Sequence, residues 1–162
     1  MRRFVDGLAL RVPPAVVALD LLLAMKFSAR WGPGLPGPSA ALDRLGTAIT
    51  ILGAGIMMAG LWQFRRHRTT VDPMHPELAE TLVDSGVFAW SRHPMYVGFV
   101  AVLLGAALMF DAAWSLLGPL ALAAWLHRFQ IRPEERVLSQ RFGAAFDAYC
   151  RRVPRWLGRR RG

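Results

Sequence analysis

Four apolar stretches alternate with polar or Gly- and Pro-rich segments along the chain: residues 12–27, 45–64, 95–110 and 112–131. A helix that crosses the hydrocarbon core of a bilayer needs about 20 mainly apolar residues. The pattern therefore predicts about four transmembrane helices, of which the first and the third are short. Only Asp111 separates the last two stretches, so we expect a tight helical hairpin in which Asp111 caps the fourth helix.

Beyond Pro133 the apolar positions become periodic. Leu138, Phe142, Phe146 and Tyr149 follow helical spacing, while charged residues occupy the other faces. This pattern predicts an amphipathic helix that lies on the membrane surface or packs under the bundle. The expected fold of residues 1–162 is a single all-α domain, a polytopic membrane helical bundle of about four transmembrane helices plus a C-terminal amphipathic helix.

The chain combines a hydrophobic content of 54% with a net charge of +9. Of its 20 Lys and Arg residues, only Lys26, Arg30 and Arg44 fall in or beside the loop between the first two apolar stretches. Basic residues concentrate on the cytoplasmic side of membrane proteins. We therefore expect a multi-pass membrane protein with both termini in the cytoplasm. Anionic membrane lipid, rather than nucleic acid, is the expected partner of the basic tail.

Cysteine and histidine residues suggest no metal chemistry. Cys150 is the single cysteine, and the four histidines lack the spacing of metal ligands. The sequence therefore predicts neither a disulfide framework nor a metal site. Asp20 lies inside the first apolar stretch, where an isolated carboxylate is costly. We expect Asp20 to face protein or water, or to be protonated.

Two polar clusters mark the ends of apolar helices. The sequence SGVFAWSRHPMYVG (residues 85–98) places His93 and Tyr96 at the start of the third helix, where backbone N–H groups and the imidazole can bind an anion. The aromatic ring of Tyr96 can contact a cation. Glu134 and Glu135 follow the fourth apolar stretch and can accept bonds from an ammonium group or from ribose hydroxyls. Together the clusters predict a site for a small zwitterion at the membrane surface.

Each of these residues also has a purely structural interpretation. His and Tyr are common at membrane interfaces, and acidic residues stabilise the first turn of a helix by about 0.3–1 kcal/mol. Arg128 and Arg132, at the end of the fourth stretch, either extend towards lipid headgroups or bind an anionic acceptor. Residue spacing alone leaves these alternatives open.

The two motifs resemble a known family. The segments TLVDSGVFAWSRHPMYVG (residues 81–98) and EERVLSQRFGAAFDAYCRRVPRW (residues 134–156) are similar to the isoprenylcysteine carboxyl methyltransferases and their bacterial relatives. TTVDP (residues 69–73) resembles the loop that precedes the first motif, so the likeness covers the core motifs at 69–156. Members of that family are integral-membrane enzymes that use S-adenosyl-L-methionine, and the likeness to the bacterial relatives implies an inner-membrane location.

The resemblance implies roles for particular residues. The family's cofactor contacts fall on His93, Pro94, Met95, Tyr96 and Glu134. Leu82 and Val83 align with residues that line the adenosine pocket, and Phe88 stands where many relatives have a tyrosine. The family's substrate-positioning arginine falls near Gln130, so Arg128 or Arg132 would take its place.

The expected reaction is methylation of a lipid-like or prenylated acceptor, most simply at a carboxylate. A carboxylate is already ionised at neutral pH and needs no general base. An amine acceptor would need one, and Glu135 and Asp20 are the candidates for it. Two other functions fit the sequence less closely: an NADPH-dependent membrane reductase of the sterol reductase type, and a non-catalytic membrane scaffold.

Overall fold

The computed structural model describes residues 10–37, 39–67 and 74–157, and this part of the chain is helical without strands. The α-helices are α1 (Pro14–Ser28), α2 (Ser39–Arg66), α3 (Pro94–Met109), α4 (Leu117–Trp125), α5 (Arg132–Phe142) and α6 (Ala144–Arg152). Short 3₁₀ segments occur at Pro76–Leu78, Gly86–Ala89 and Ala113–Leu116. The all-α prediction is confirmed.

The predicted count of four transmembrane helices is not confirmed. Among the described residues, α2 alone is long and apolar enough to cross a membrane: it has 28 residues, and its most apolar 18-residue window has a mean hydropathy of 1.7. The helices α1 and α3 have 15 and 16 residues. The fourth apolar stretch is divided between a 3₁₀ turn, the nine residues of α4 and a π-helical segment.

The C-terminal amphipathic pattern belongs to two helices rather than one. A π-helical segment, Leu126–Ile131, joins α4 to α5 without a break, so the fourth apolar stretch runs directly into the polar helix. The helix then ends at Gly143, whose φ of 49° is a conformation that favours glycine. The amphipathic region was expected to be one helix; it is two, because Gly143 interrupts the pattern before Phe146 and Tyr149.

Asp111 does not cap the fourth helix as expected. Its backbone takes a φ of 47°, which turns the carboxylate towards the loop that precedes α2. Oδ1 accepts a hydrogen bond from the Leu35 N–H at 3.1 Å, and Oδ2 accepts one from the Ser39 hydroxyl at 3.0 Å. Asp111 therefore ties the hairpin between α3 and α4 to the start of α2.

Helix α3 lies at the centre of the fold and packs against α1, α2 and α4. Its contact with α2 is the most extensive, because glycines let the two backbones approach closely. A Cβ atom on Gly53 would lie 2.8 Å from the carbonyl oxygen of Gly98, and one on Gly98 would lie 2.6 Å from the carbonyl oxygen of Gly53. This approach fixes where the N-terminal end of α3 sits.

We expect Gly53→Ala to lower the free energy of unfolding of the detergent-purified protein by about 1–3 kcal/mol, because the new methyl group collides with the backbone of α3. The melting temperature should fall accordingly. The control is Gly55→Ala on the same helix, where an added Cβ would meet no described atom within 4 Å. Gly55→Ala should leave stability unchanged or raise it slightly, since alanine favours helix. Equal melting temperatures for the two variants would contradict the close approach.

Candidate active site

The N-terminal end of α3 presents two buried rings. Pro94 opens the helix, since its fixed φ suits the first turn, and this places His93 just before the helix. The His93 N–H donates to the Ser91 hydroxyl at 3.1 Å, and the His93 carbonyl accepts from the Tyr96 N–H. The rings of His93 and Tyr96 are stacked, with centroids 5.5 Å apart and planes 9° apart. Backbone contacts thus hold both rings in place.

The first turn of α5 brings two glutamates to these rings. The Tyr96 hydroxyl donates to Glu134 Oε2 at 2.9 Å, and His93 Nδ1 lies 3.8 Å from the same oxygen. On the other edge of the imidazole, Nε2 lies 3.2 Å from Glu135 Oε1. The two polar clusters of the sequence therefore meet, with the imidazole between two carboxylates.

Glu135 is surrounded by cationic groups. Arg92 Nη2 lies 2.9 Å from Oε1, and Arg155 Nε donates to Oε1 and Oε2 at 3.1 and 3.0 Å. Burial raises the pKa of a carboxyl group, but the hydrogen bonds from His93 and Arg155 outweigh it and lower the pKa of Glu135 to about 2. Glu135 is therefore a fixed negative charge over the whole physiological range.

Glu134 has the opposite environment. Burial raises the pKa of Glu134 above its ordinary value, and the charge of His93 and the hydrogen bond from Tyr96 offset this only in part. Its partners are a neutral hydroxyl and an imidazole, whereas Glu135 faces two guanidinium groups. A buried carboxylate with so few donors is well suited to a cationic ligand.

These groups border a cavity of about 210 Å³. Its polar side is formed by Arg92, His93, Tyr96 and Glu134, and the rest of its described wall is apolar. The apolar wall comes from α1, α2, α3, α5 and the 3₁₀ segments: Pro13, Pro14, Ala15, Phe64, Pro76, Ala79, Phe88, Pro94, Met95, Phe99 and Leu138. An apolar cavity with a few convergent polar groups is the usual form of a small-molecule site.

A family model described as phospholipid methyltransferase matches residues 42–145, which is well over half of the chain and includes both polar clusters. The chain belongs to the phospholipid methyltransferase family. No solved structure matches it.

Curated relatives of the chain carry a related name. The chain is 31% identical over 115 residues to a protein-S-isoprenylcysteine O-methyltransferase of Saccharomyces cerevisiae, covering 67% of this chain and 46% of that protein. It is 30% identical over 122 residues to the protein of that name in Mus musculus, covering 72% of this chain and 41% of that protein. It is 29% identical over 116 residues to protein-S-isoprenylcysteine O-methyltransferase B of Arabidopsis thaliana, covering 70% of this chain and 57% of that protein.

These matches confirm the resemblance to isoprenylcysteine methyltransferases within the phospholipid methyltransferase family. The chain spans about half the length of the curated relatives it matches, or less.

Some of the predicted site residues lie together around the cavity, and others lie away from it. Phe88, His93, Pro94, Met95, Tyr96 and Glu134 all line the cavity. Glu135 lies behind His93, in contact with the arginines. Four other residues lie outside the described cavity wall: Val83 is buried, Leu82 packs against the cluster of Phe146, Tyr149 and Val153, and Arg128 and Arg132 are exposed. Asp20 is also exposed, on α1.

Sequence reasoning missed two arginines that bind Glu135. Arg92 directly precedes His93, so its place in the motif was a usable signal. Arg155 lies in the second motif, but nothing in the spacing indicates that the chain returns to the site after α6. Cavity residues from other helices, such as Phe64 and Phe99, were missed because their apolar character is also that of a membrane helix.

We expect Glu135→Gln to lower the melting temperature at pH 7 and to have a smaller effect near pH 3. The folded pKa of about 2 lies below the ordinary value of 4.5, so the ionised carboxylate stabilises the fold above about pH 4.5. That stabilisation is lost as the pH falls towards 2.

Thermal unfolding of the wild type and the variant at pH 7, 5 and 3 measures this effect. Asp43→Asn, which removes an exposed carboxylate of α2, is the control and should show little pH dependence. A stability difference for Glu135→Gln that is the same at all three pH values would contradict the assignment.

Proposed function

We propose that the chain is a membrane methyltransferase that uses S-adenosyl-L-methionine as methyl donor and methylates a lipid-like or prenylated acceptor at the cytosolic membrane face. The observation that carries this proposal is the meeting of His93 and Glu134 at one side of an apolar cavity. Membership of the phospholipid methyltransferase family and the names of the curated relatives support it.

The described residues fit such a donor. Its carboxylate suits His93 and the N-terminal end of α3, where backbone N–H groups favour an anion. Its ammonium group or its ribose hydroxyls suit the buried carboxylate of Glu134. The apolar wall, including Phe88 and Met95, suits the adenosine. When bound, the donor supplies an electrophilic methyl group, and the contribution of the chain is to align the reactants and exclude water.

Leu82 and Val83 remain proposed adenosine contacts on the strength of the family resemblance alone. Both precede the 3₁₀ segment that carries Phe88 into the cavity wall. Arg128 and Arg132 remain the proposed contacts for an anionic acceptor, which they would reach from the exposed side of the continuous helix formed by α4, the π segment and α5.

The proposed acceptor is apolar in its larger part. The first residues of α1 and Phe64 of α2 both line the cavity, and α3 packs against both of these helices. An acceptor with a lipid tail would enter laterally from the bilayer, while the donor would come from the cytosol. A carboxylate acceptor needs no general base, which agrees with a Glu135 that is already paired.

We expect S-adenosylhomocysteine, the demethylated product of the donor, to bind the detergent-purified chain, as measured by calorimetric titration. His93→Ala and Glu134→Ala should each weaken this binding about tenfold or more, since each removes a hydrogen bond to a charged group, worth about 1.5–3 kcal/mol. Asp147→Ala, on the exposed surface of α6, is the control and should bind like the wild type.

The same titration is run with NADPH. Binding of NADPH alone would indicate the reductase, and binding of neither ligand would indicate the scaffold. Unchanged affinity for S-adenosylhomocysteine in both site variants would refute the site.

We also propose that the chain crosses the membrane several times with both termini in the cytoplasm. Fusions at the C-terminus of the full chain test this: green fluorescent protein should fluoresce and alkaline phosphatase should be inactive. The expectation follows from the concentration of basic residues outside the loop between α1 and α2. Active phosphatase at the C-terminus would reverse the proposed orientation.

A further inference from the structure

The C-terminal segment after α6 returns to the candidate site and is tied to it through its backbone. The Arg92 N–H donates to the Pro154 carbonyl at 3.0 Å, and the Ser91 hydroxyl donates to the Arg155 carbonyl at 3.3 Å. The same Ser91 hydroxyl accepts the His93 N–H. These bonds do not involve the Arg155 side chain, so that side chain can be changed while the segment stays attached.

The Arg155 guanidinium is directed at Glu135. Its Nε lies within 3.1 Å of both carboxylate oxygens, and its Nη2 also contacts Oε2. Neither Arg155 nor Glu135 is part of the described cavity wall. Neither side chain is therefore placed to touch a molecule in the cavity, and any effect on such a molecule must pass through another residue.

His93 is that residue. An ionised carboxylate only accepts hydrogen bonds, so the His93 nitrogen that faces Glu135, Nε2, must carry a proton. The other ring nitrogen, Nδ1, is thereby turned towards Glu134 and the cavity. Hydrogen bonds to one imidazole nitrogen commonly set the proton and the orientation of the other. Glu135 thus sets the orientation of the imidazole that lines the cavity. For Nδ1 to bind the carboxylate of a ligand, that nitrogen must carry a proton as well.

We propose that Arg155 and Glu135 are positioning residues for the donor site: Arg155 fixes the Glu135 carboxylate, and Glu135 holds His93 with its Nδ1–H towards the carboxylate of the bound donor. This inference rests on the proposed function. It assigns Glu135 a role other than that of a general base, because its carboxylate is already engaged by Arg92, His93 and Arg155.

Two ligands separate positioning from a general structural role. S-adenosylhomocysteine carries the carboxylate that His93 would meet, whereas 5′-methylthioadenosine shares the adenosine and the thioether but lacks the amino-acid part. Arg155→Leu should weaken binding of S-adenosylhomocysteine about tenfold, as expected for a lost charge-assisted hydrogen bond, and change binding of methylthioadenosine by less than twofold. Arg155→Lys, which keeps the charge, should recover most of the lost affinity.

The matched control is Arg151→Leu, which removes an equal charge from the exposed last turn of α6 and should bind both ligands like the wild type. Glu135→Gln is a second variant of nearly unchanged shape and should show the same selective loss if Arg155→Leu folds poorly. Calorimetric titration of the full chain in detergent provides all affinities.

The outcomes separate the two proposals. If the wild type binds S-adenosylhomocysteine but Arg155→Leu and Glu135→Gln weaken both ligands equally, or neither, the positioning role is wrong and the proposed function stands. If the wild type binds neither ligand, both proposals fail. Wild-type affinity for S-adenosylhomocysteine that is no higher than for methylthioadenosine would also overturn the positioning role, since the carboxylate would then contribute nothing.

Discussion

The arrangement of the site depends on the Glu135 carboxylate, which connects three segments of the chain. Arg92 comes from the loop before α3, Glu135 from α5 and Arg155 from the segment after α6. Burying a charge is costly unless it is paired, and removing one member of a buried pair leaves the other uncompensated. Because Arg92 and Glu135 are nearly buried, separating their two segments would leave each charge without its partner. That requirement brings His93 and Glu134 to the cavity.

The two neighbouring glutamates have different environments, and the difference comes from the helix rather than from the residues. Consecutive residues of an α-helix point about 100° apart, so Glu134 and Glu135 cannot face the same partners. Glu134 meets the Tyr96 hydroxyl and the cavity, while Glu135 meets two guanidinium groups. One carboxylate is left available to a ligand, and the other is committed to the structure. The pair EE in the sequence does not reveal which is which.

Much of the fold is local in origin, and that part could be predicted. Pro14 and Pro94 start helices because the fixed φ of proline suits the first helical turn. The apolar runs of α2 and α3 can be read directly from the sequence. Gly143 was also a usable signal, since a glycine within an amphipathic pattern commonly ends a helix. Asp111 and Arg155 were different. Their partners, Leu35 and Glu135, are distant in sequence, and only the packed helices bring them together.

The π segment between α4 and α5 explains how one helix serves both the core and the site. Leu122 and Leu126 are fully buried in the core, and Glu134 and Leu138 line the cavity. Together with Gln130 they form a row in which each residue follows the last by four. In an α-helix of 3.6 residues per turn, four residues exceed a full turn by about 40°, so such a row drifts steadily around the helix.

In a π turn the backbone hydrogen bonds join residues five apart, and each turn contains more residues than an α-helical turn. Four residues therefore cover less than a full turn, and the row shifts around the helix in the opposite direction. The π segment, Leu126–Ile131, lies in the middle of this row and cancels part of the drift. In a regular α-helix with the same core contacts, Glu134 would be rotated further about the helix axis, away from His93 and Tyr96. The irregular turn therefore lets the packing of α4 in the core coexist with a carboxylate of α5 aimed at the N-terminal end of α3.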